Sequence, residues 1–393
     1  MSWVAYLTDV EGRWDKLLAF VDGNPHVSLV DGELRLADGV TFVFGGDAID
    51  RGAHGRRFVS LLVAAQRRYG DRVILLAGNR DINKLRLVTE LGGKPHRRAP
   101  ETATRGELLR WTLANTMGAG KAFEHRVTEL ATAGLPSDDD AVVDSYLADL
   151  APGGDLRAYL LASRLGFRAG STLFLHGGVT PENFLETPNA ARAASVDAWL
   201  ATLAQFHRTE MASFEAGARP EALIAYQSQG PTKLNQGSVV YARPTDDEGN
   251  PHLPPADLVA CLLDNGIRRV AVGHTPSGDC PAILRDGDFE LVLADNSYGR
   301  IESGSQVAFT DDTMQVRGIT KLDDGTQAAV RFSFVRGTES PLGRRIAGTQ
   351  QLVKAQLESG SYLLFRGLPK YQVEQITASA DDLASRVLEP ARD

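Results

Sequence analysis

A buried strand that runs into an acidic, glycine-rich turn is the clearest local signal in the chain, in the stretch VTFVFGGDAIDRG at residues 40–52. Its apolar run, residues 40–44, ends in two glycines, and a short apolar run bounded in this way is typical of a buried strand. The glycines allow the backbone to turn sharply before Asp47. A helical pattern follows at residues 56–69. The order of strand, turn and helix predicts one unit of an α/β fold.

Four further apolar runs end in polar or glycine residues in the same manner, at residues 3–7, 73–77, 172–175 and 269–272. A second helical pattern lies at residues 15–21. Strands that alternate with helices predict an α/β fold with a layered β-sheet core flanked by helices. Ligands of such sheets bind at the carboxyl ends of the strands. Polar residues after five strands therefore predict a functional site at that edge.

Two long stretches interrupt this alternation, residues 83–168 and 189–235, and both follow a helical pattern rich in Ala, Leu, Arg and Glu. We expect them to be insertions that form a helical cap over the strand ends. After about residue 300 the pattern changes to short alternating runs, which indicate strands. The sequence thus predicts a catalytic domain at residues 1–300, with both insertions, and a β-rich C-terminal extension at residues 301–393, packed on the core.

The composition narrows the classes of function. Of 393 residues, 43% are hydrophobic and 23% are charged, with a formal net charge of −8. An acidic protein lacks the broad basic face that a nucleic acid polymer requires, so we expect no such partner. Two cysteines, Cys261 and Cys280, argue against a disulfide framework and against a cysteine metal site. Neither a signal peptide nor an apolar run of about 18 residues is visible, which predicts a cytoplasmic protein without a membrane partner.

Side chains that bind metals follow all five predicted strands. They lie in the blocks DVEG (9–12), GDAIDRG (46–52), GNRD (78–81), HGG (176–178) and GHTP (273–276). Two doubly charged cations need oxygen and nitrogen ligands that converge from different strands. One carboxylate must bridge the ions, which lie roughly 3.5–4 Å apart. Asp47 is the natural bridge, because it follows a buried strand and a flexible glycine pair.

Taken together and in this order, the blocks resemble the calcineurin-like metallophosphoesterase superfamily, in particular its serine/threonine-phosphatase-like branch. The family pattern is Asp-x-His, Gly-Asp-x-x-Asp-Arg-Gly, Gly-Asn-His-Glu/Asp, a lone His and Gly-His. Any single block is a weak signal, since Asp-Gly and Gly-Asn pairs usually mark turns, but the ordered set is specific. The resemblance implies a metallophosphoesterase-like fold and two divalent metal ions. It also implies that a hydroxide held between these ions attacks the phosphorus atom.

The resemblance assigns a role to each matched residue. The implied metal ligands are Asp9 in the first site, Asp47 as the bridge, and Asn79, His176 and His274 in the second site. Arg51 is implied to hold the substrate phosphate, which suits its planar fork of donors. Asp50, Arg51 and Arg80 are the predicted catalytic residues, and Arg51, Asn79 and Arg80 are the predicted substrate-binding residues.

Two residues depart from the family pattern. Glu11 stands where the family has a metal-binding histidine, and with Asp9 and Asp47 it would make the first site all oxygen. Such a site favours Mn²⁺ or Mg²⁺, whereas the second site also suits Fe²⁺ or Zn²⁺; Mn²⁺ is the preferred prediction. Arg80 replaces the histidine proposed to protonate the leaving group, and a guanidinium cannot donate a proton near neutral pH. We expect Arg80 to pair with Asp50 and to stabilise the transition state electrostatically. The leaving group would then be protonated by water, by Asp81, or hardly at all.

Other polar residues near the blocks have weaker assignments. The basic run at residues 94–98 is predicted to be a solvated loop in preference to a phosphate contact. Asn83, Lys84 and Arg86 are predicted to lie outside the pocket. Residues 295–298 follow the predicted strand at residues 290–294, and we expect them to support the site without taking part in the chemistry.

These patterns favour hydrolysis of a phosphomonoester. The helical insertions would narrow the entrance, which suits a small phosphorylated molecule such as a nucleotide or a sugar phosphate. A phosphoserine/threonine protein phosphatase is the alternative that the branch resemblance keeps open. A catalytically inactive module that binds metal or phosphate is a second alternative, because Glu11 and Arg80 replace two functional histidines. No feature of the sequence predicts an oligomeric state.

Overall fold

Two β-sheets pack face to face at the centre of the protein in the computed structural model, which describes residues 2–229, 234–301 and 304–392. The described strands are β1 (Val4–Leu7), β2 (Val27–Val30), β3 (Glu33–Leu36), β4 (Thr41–Phe44), β5 (Val73–Leu75), β6 (Gly166–Ala169), β7 (Thr172–Leu175), β8 (Arg269–Pro276), β9 (Ala282–Asp286), β10 (Phe289–Asp295), β11 (Gln306–Phe309), β12 (Thr313–Lys321), β13 (Gln327–Val335), β14 (Arg344–Ile346), β15 (Leu352–Gln356), β16 (Tyr362–Leu368), β17 (Gln372–Ala378) and β18 (Leu388–Pro390).

The described helices are α1 (Trp14–Val21), α2 (Gly55–Tyr69), α3 (Asn79–Ile82), α4 (Leu87–Leu91), α5 (Arg105–Thr116), α6 (Ala122–Thr132), α7 (Asp139–Leu150), α8 (Asp155–Ala162), α9 (Val196–Glu215), α10 (Glu221–Tyr226), α11 (Ala256–Asp264) and α12 (Ala380–Ala384). Short 3₁₀ turns lie at Gly70–Arg72, Asn83–Arg86 and Pro369–Tyr371.

Each central sheet has a parallel core. The first sheet has the order β13-β12-β11-β1-β4-β5, in which β1, β4 and β5 are parallel. The second has the order β6-β7-β8-β10-β9, in which β7, β8 and β10 are parallel. A third, antiparallel sheet has the order β17-β16-β15-β14-β18. The parallel strands of both central sheets end at the same edge of the molecule, where the predicted site residues lie.

Alternating side chains explain how the layers pack. In a strand, successive side chains point to opposite faces of the sheet. Tyr6 on β1 faces the second sheet and contacts Phe174 on β7, with the ring centroids 5.4 Å apart. On the opposite face of the first sheet, Phe42 and Phe44 lie 5.9 Å from Phe20 of α1 and 5.2 Å from Phe58 of α2, between ring centroids. Both faces are therefore buried, which explains why these strands read as continuous apolar runs.

The structure confirms the predicted fold class, α/β with a flanked β-sheet core, helical insertions and a β-rich C-terminal part. Helices α4 to α8 lie within the first predicted insertion, and α9 and α10 within the second. The C-terminal strands have two destinations, since β11–β13 extend the first central sheet while β14–β18 form the third sheet. The predicted boundary at residue 300 stays a prediction.

Parts of the predicted ranges lie outside the described residues: residue 1, residues 230–233 of the second insertion, and residues 302, 303 and 393 of the C-terminal part.

Three strand features differ from the sequence prediction. Residues 166–169, expected at the end of a helical insertion, form β6 and pair with β7 across a two-residue turn whose Gly170 has φ 54°. The hairpin of β2 and β3 was not predicted, although Asp31-Gly32 at its turn is a common hairpin dipeptide, and both residues have positive φ. Strand β8 runs on to Pro276, past the glycine expected to end it.

Candidate metal and phosphate site

The predicted ligands lie close together, at or near the ends of strands from both central sheets. Asp9 follows β1, Asp47 follows β4, and Asn79 is the first residue of α3 after β5. From the second sheet, His176 follows β7 and His274 lies within β8. The carboxyl ends of parallel strands meet at one edge of a sheet, so two facing sheets bring both sets of ends together.

The backbone at this edge is strained. Positive φ angles occur at Asp9 (51°), Glu11 (53°), Asp47 (59°), Asp50 (105°) and His274 (55°). A residue with a Cβ rarely adopts such angles, because each costs about 1–3 kcal/mol and persists only where the surrounding structure imposes it. Strain of this kind clusters at functional sites. The chain therefore maintains an unfavourable backbone at five of the residues that the sequence singled out.

Asp47, His176 and His274 form a buried group that could hold a metal ion, because one potential ligand atom of each lies within 4.8 Å of the others. His176 Nε2 is 3.3 Å from Asp47 Oδ1 and 3.2 Å from Asn79 Oδ1. His274 Nε2 is buried without a hydrogen-bond partner. A buried polar atom without a partner is costly, and a cation would relieve it. The donor set of two imidazoles, a carboxylate and an amide oxygen fits Mn²⁺, Fe²⁺ or Zn²⁺.

The two histidines differ in protonation. The Nδ1–H of His176 donates to the carbonyl of Gly45 at 2.8 Å, because a carbonyl can only accept, and this leaves Nε2 directed at Asp47. Burial opposes charge on the His176 ring, but the adjacent Asp47 carboxylate raises its pKa to about 10. Burial lowers the pKa of His274 well below its usual range, so this ring is neutral. A metal ion requires a neutral imidazole, so an ion at His274 finds its ligand ready, whereas an ion at His176 would have to displace the proton on Nε2.

Asp81 fixes the turn that carries Asp47. Its carboxylate accepts hydrogen bonds from the backbone N–H of Asp47 (2.9 Å), Ala48 (2.8 Å) and Gly78 (2.9 Å). The hydroxyl of Tyr159 donates to it at 3.1 Å. Burial raises the pKa of Asp81 to about 6. Asp81 therefore positions the turn that carries the candidate ligand, while its possible role as a proton donor stays a prediction.

The two residues that depart from the family pattern contact each other. Arg80 Nε lies 2.7 Å from Glu11 Oε1 and 3.4 Å from Asp47 Oδ2. The predicted pairing of Arg80 with Asp50 is a longer contact of 3.8 Å. Asp50 has a nearer partner in the buried Lys84, whose ammonium is 2.6 Å from Asp50 Oδ2. Lys84 thus takes the position beside Asp50 that the sequence assigned to Arg80.

Arg51 and Asp9 have surroundings that the sequence did not predict. The Arg51 guanidinium stacks on the Tyr298 ring at 3.8 Å and lies 3.5 Å from Glu11 Oε2. It lines a smaller cavity beside the one that contains Asp47. Asp9 accepts a hydrogen bond from Thr8 Oγ1 at 2.6 Å, and both of its oxygens face the backbone N–H of His274 at 3.2 and 3.3 Å. The roles assigned to these residues stay predictions.

The model of the calcineurin-like phosphoesterase family matches residues 2–278 of this sequence. The chain belongs to that family. The match contains every predicted site residue, from Asp9 to His274. Members of the family hydrolyse phosphoesters, so the described group of Asp47, His176 and His274 is the potential metal site of a phosphoesterase.

Solved structures match this chain at low sequence identity and with TM-scores below 0.5. A cold-active protein-tyrosine phosphatase of a psychrophilic Shewanella is 17% identical with a TM-score of 0.49, over 84% of this chain and 80% of that one. A protein serine/threonine phosphatase from Saccharomyces cerevisiae is 14% identical with a TM-score of 0.39, over 86% and 81%. A metallophosphoesterase from Sphaerobacter thermophilus is 11% identical with a TM-score of 0.33, over 85% and 89%. No curated protein gives a significant sequence match. The assignment rests on the family match.

In this phosphoesterase the candidate metal group opens into a cavity of about 690 Å³. That volume is within the range typical of small-molecule sites. The basic residues that line the cavity beyond the strand ends are Arg80, Arg86, Arg98, Arg219 and Arg243. The helical insertions contribute several of them: Arg86 and Arg98 come from the first, and Arg219 from the second. The cavity thus combines acidic metal-site residues with a basic rim.

Sequence reasoning missed most of this rim. Arg86 and Asn83 were expected outside the pocket but line it, as do His96 and Arg98 of the run predicted to be a solvated loop. The basic run was a visible signal for the last two. Arg219 has no sequence signal, because only the packing of the second insertion brings it there. Ser297 fits its predicted supporting role, since its hydroxyl donates to Glu11 Oε2 at 2.8 Å.

Within the described part of the chain, no helix is both long enough and apolar enough to cross a lipid bilayer.

Proposed function

We propose that this phosphoesterase is a metal-dependent phosphatase that hydrolyses a small phosphomonoester, such as a nucleotide or a sugar phosphate. The observation that carries the proposal is the buried group of Asp47, His176 and His274 at the floor of a cavity with a basic rim. A divalent cation held there would supply Lewis acidity, which activates water and screens the charge of the phosphate.

The side chains around this group suit phosphate binding. The Arg80 guanidinium lines the cavity next to Asp47, and its planar fork of donors matches two phosphate oxygens. Asn79 lines the same cavity and directs its oxygen toward His176. Charge develops on the phosphate oxygens as the ester bond breaks, and fixed cations in a site shielded from water stabilise that charge strongly.

The size of the cavity supports a small substrate in preference to a phosphoprotein. Side chains from both insertions line the cavity that contains Asp47, among them Asn115, Arg98 and Arg219. A phosphorylated loop of a folded protein needs an open groove, whereas a nucleotide or sugar phosphate fits a cavity of about 690 Å³. The basic rim would bind further anionic groups of such a substrate.

Mn²⁺ is the ion that we propose first, followed by Fe²⁺, Zn²⁺ and Mg²⁺, because the mixed nitrogen and oxygen donors suit borderline cations. The two-ion form of the reaction, implied by the resemblance, would need Asp9, Glu11 and Asp47 as ligands of a second ion, and Arg80 would have to leave Glu11. Cys261 and Cys280 are both free, which fits the cytoplasmic location that we propose.

The decisive experiment is phosphate release by metal-stripped protein from nucleotides, sugar phosphates and phosphopeptides, with each cation added back in turn. We expect metal-dependent release from one class of small phosphomonoester. His274→Asn should lose at least about a hundredfold in kcat/KM, whereas His252→Asn, a histidine outside the cavity, should retain activity. Release from phosphopeptides alone would replace the small substrate by a phosphoprotein. No release with any cation, although the protein binds it, would instead favour the inactive binding module.

A further inference from the structure

The two oxygens of the Asp47 carboxylate face different side chains. Its Oδ1 faces His176 Nε2 at 3.3 Å, on the side of the candidate metal group. Its Oδ2 faces Arg80 Nε at 3.4 Å. The backbone N–H of Arg80 also donates to Oδ1 at 2.9 Å. Asp47 therefore bridges the candidate ion site and a guanidinium, in the way that the resemblance predicts it to bridge two ions.

Glu11, the other predicted ligand of the first ion, already has partners for both oxygens. Arg80 Nε lies 2.7 Å from Oε1. The hydroxyl of Ser297 donates to Oε2 at 2.8 Å. Arg51 adds a second positive charge 3.5 Å from Oε2. A cation at this carboxylate would have to displace a hydrogen-bonded guanidinium and approach another.

Asp9 is held by groups of the protein as well. Thr8 Oγ1 and the backbone N–H of His274 occupy its two oxygens. Among the residues that the structure describes, the group with gathered ligand atoms contains neither Asp9 nor Glu11. The described side chains thus fit an ion at the second predicted site, and they do not fit one at the first.

The Arg80 side chain is well fixed in this position. It is 11% exposed, and its Nη1 lies 3.8 Å from Asp50, which the buried Lys84 holds in turn. The carboxylates of Glu11, Asp47 and Asp50 surround the guanidinium. A guanidinium stays charged at every pH at which the protein is folded. Its charge is therefore a permanent part of the site.

We propose that the guanidinium of Arg80 takes the place of the first divalent cation, so that the chain binds one metal ion, at Asp47, Asn79, His176 and His274. Glu11 and Arg80 each stand where the family pattern has a histidine. The two replacements are then one coupled change, because together they form an ion pair where the family binds a metal ion. The inference rests on the proposed function in one respect, because both concern the same site. It predicts that two positive groups face the substrate phosphate: a metal ion taken up from solution and the guanidinium of Arg80.

The test is the metal content of the purified full chain, measured by equilibrium dialysis against Mn²⁺ followed by elemental analysis. We expect one Mn²⁺ per chain, with the electron paramagnetic resonance spectrum of an isolated ion. Two Mn²⁺ per chain with the broadened spectrum of neighbouring, coupled ions would overturn the proposal. Neither readout depends on catalysis. A chain that binds one ion and releases no phosphate would refute the proposed function alone, and a chain that binds two and releases phosphate would refute this inference alone.

A pair of variants sharpens the result. Glu11→His/Arg80→His restores the family pattern, and we expect it to bind a second Mn²⁺ at least about a hundredfold more tightly than the unmodified chain, since a fixed positive charge within about 4 Å strongly repels a cation. Arg51→Gln is the matched control, because it also removes a positive charge near Glu11 but leaves Arg80 in place, and it should still bind one ion. If the control and the unmodified chain each bound a second Mn²⁺, this would contradict the proposal that Arg80 occupies the first ion site. Should the double variant fail to fold, Arg80→Gln provides the same comparison.

Discussion

At the scale of single residues, the stability of the site depends on several buried negative charges that share one positive partner. Glu11, Asp47 and Asp50 are three buried carboxylates around one guanidinium, that of Arg80. A buried charge without a partner is strongly destabilising. Removing Arg80 from the metal-free protein would leave several like charges close together. Its contribution to stability can therefore be separated from any contribution to catalysis.

Arg80→Gln should lower the free energy of unfolding of the metal-free protein by about 3 kcal/mol, the cost typical of breaking a buried ion pair from one side. Arg51→Gln should cost less than about 1 kcal/mol, because the Arg51 side chain is 23% exposed and lies at the edge of the charged cluster. Urea unfolding at neutral pH in the presence of a chelator measures both. Equal losses for the two variants would show that the cluster does not depend on Arg80.

At the scale of elements, the strand ends fit together so closely that only glycine is accommodated between them. Gly46, between β4 and Asp47, has φ 102°, and a Cβ placed on it would lie 2.7 Å from both Gly78 N and His176 Nδ1. Non-bonded atoms rarely approach to that distance, so the backbone or the histidine would have to move. Three strand ends of two sheets thus meet at one residue.

Gly46→Ala should therefore lose at least about 3 kcal/mol of stability, from backbone strain and steric overlap together. Gly39→Ala is the matched control. Gly39 also has positive φ, at 71°, but nothing lies within 4 Å of an added Cβ. We expect that variant to cost about 1 kcal/mol, from the backbone angle alone. Thermal unfolding of both variants measures the difference, and similar losses would refute the steric argument.

Helix α9 carries a second element-scale feature, the buried His207. Its Nε2 has no hydrogen-bond partner, and burial lowers the pKa of the ring to about 4, from an ordinary value of 6.5. Below pH 6.5 the unfolded chain takes up a proton at this ring that the folded chain does not. The free energy of unfolding should therefore fall by about 3 kcal/mol between pH 6.5 and pH 4, and then level off, since one pKa unit corresponds to 1.36 kcal/mol.

The variant His207→Leu isolates this contribution. Other groups also titrate in this pH range, so the informative quantity is the difference in unfolding free energy between the unmodified protein and the variant. That difference should change with pH between about 6.5 and 4 and be constant above pH 7. Urea unfolding curves at several pH values measure it. An unchanged difference across the whole range would mean that the ring titrates equally in both states.

At the scale of the whole molecule, residues far apart in the chain close one cavity. Asp47 follows a strand of the first sheet, His274 lies in the second sheet, and Arg98 and Arg219 come from different insertions. Substrate affinity should therefore depend on insertions that contribute nothing to the metal group. Remote binding groups of this kind affect KM more than kcat when they contact ground state and transition state equally.

Arg219→Gln should raise KM about tenfold for an anionic substrate with a smaller change in kcat, the effect of losing one charge-assisted hydrogen bond. Arg98→Gln should act in the same direction, more weakly, because Arg98 is exposed to solvent. Arg97→Gln is the matched control, since this exposed neighbour does not line the cavity. Steady-state kinetics on the substrate identified from the panel gives both constants. An equal increase in KM for Arg97→Gln would indicate a general charge effect.

Local sequence determined the strands and the ligand blocks. Apolar runs that end in glycine and polar residues placed β1, β4, β5, β7 and β8 correctly, because burial on both faces forces a continuous apolar run. The same rule placed Asp47 and His176 directly after their strands and His274 near the end of β8, where the three side chains meet. Strand β6 was not predicted, because it forms by pairing with β7 and its own composition does not indicate a strand.

Tertiary structure alone decided which charges pair and what encloses the site. The sequence showed that Glu11 and Arg80 replace histidines, but their 2.7 Å contact, and the pairing of Asp50 with Lys84, depend on side-chain directions at three strand ends. The basic rim likewise depends on how two insertions pack over the sheets. Electrostatic contacts act through space over a few ångströms, whereas sequence patterns report only neighbours along one element. The sequence pattern therefore predicted the residues of the candidate metal site. Only the tertiary structure could show which charged side chains pair there and which residues of the insertions line the cavity.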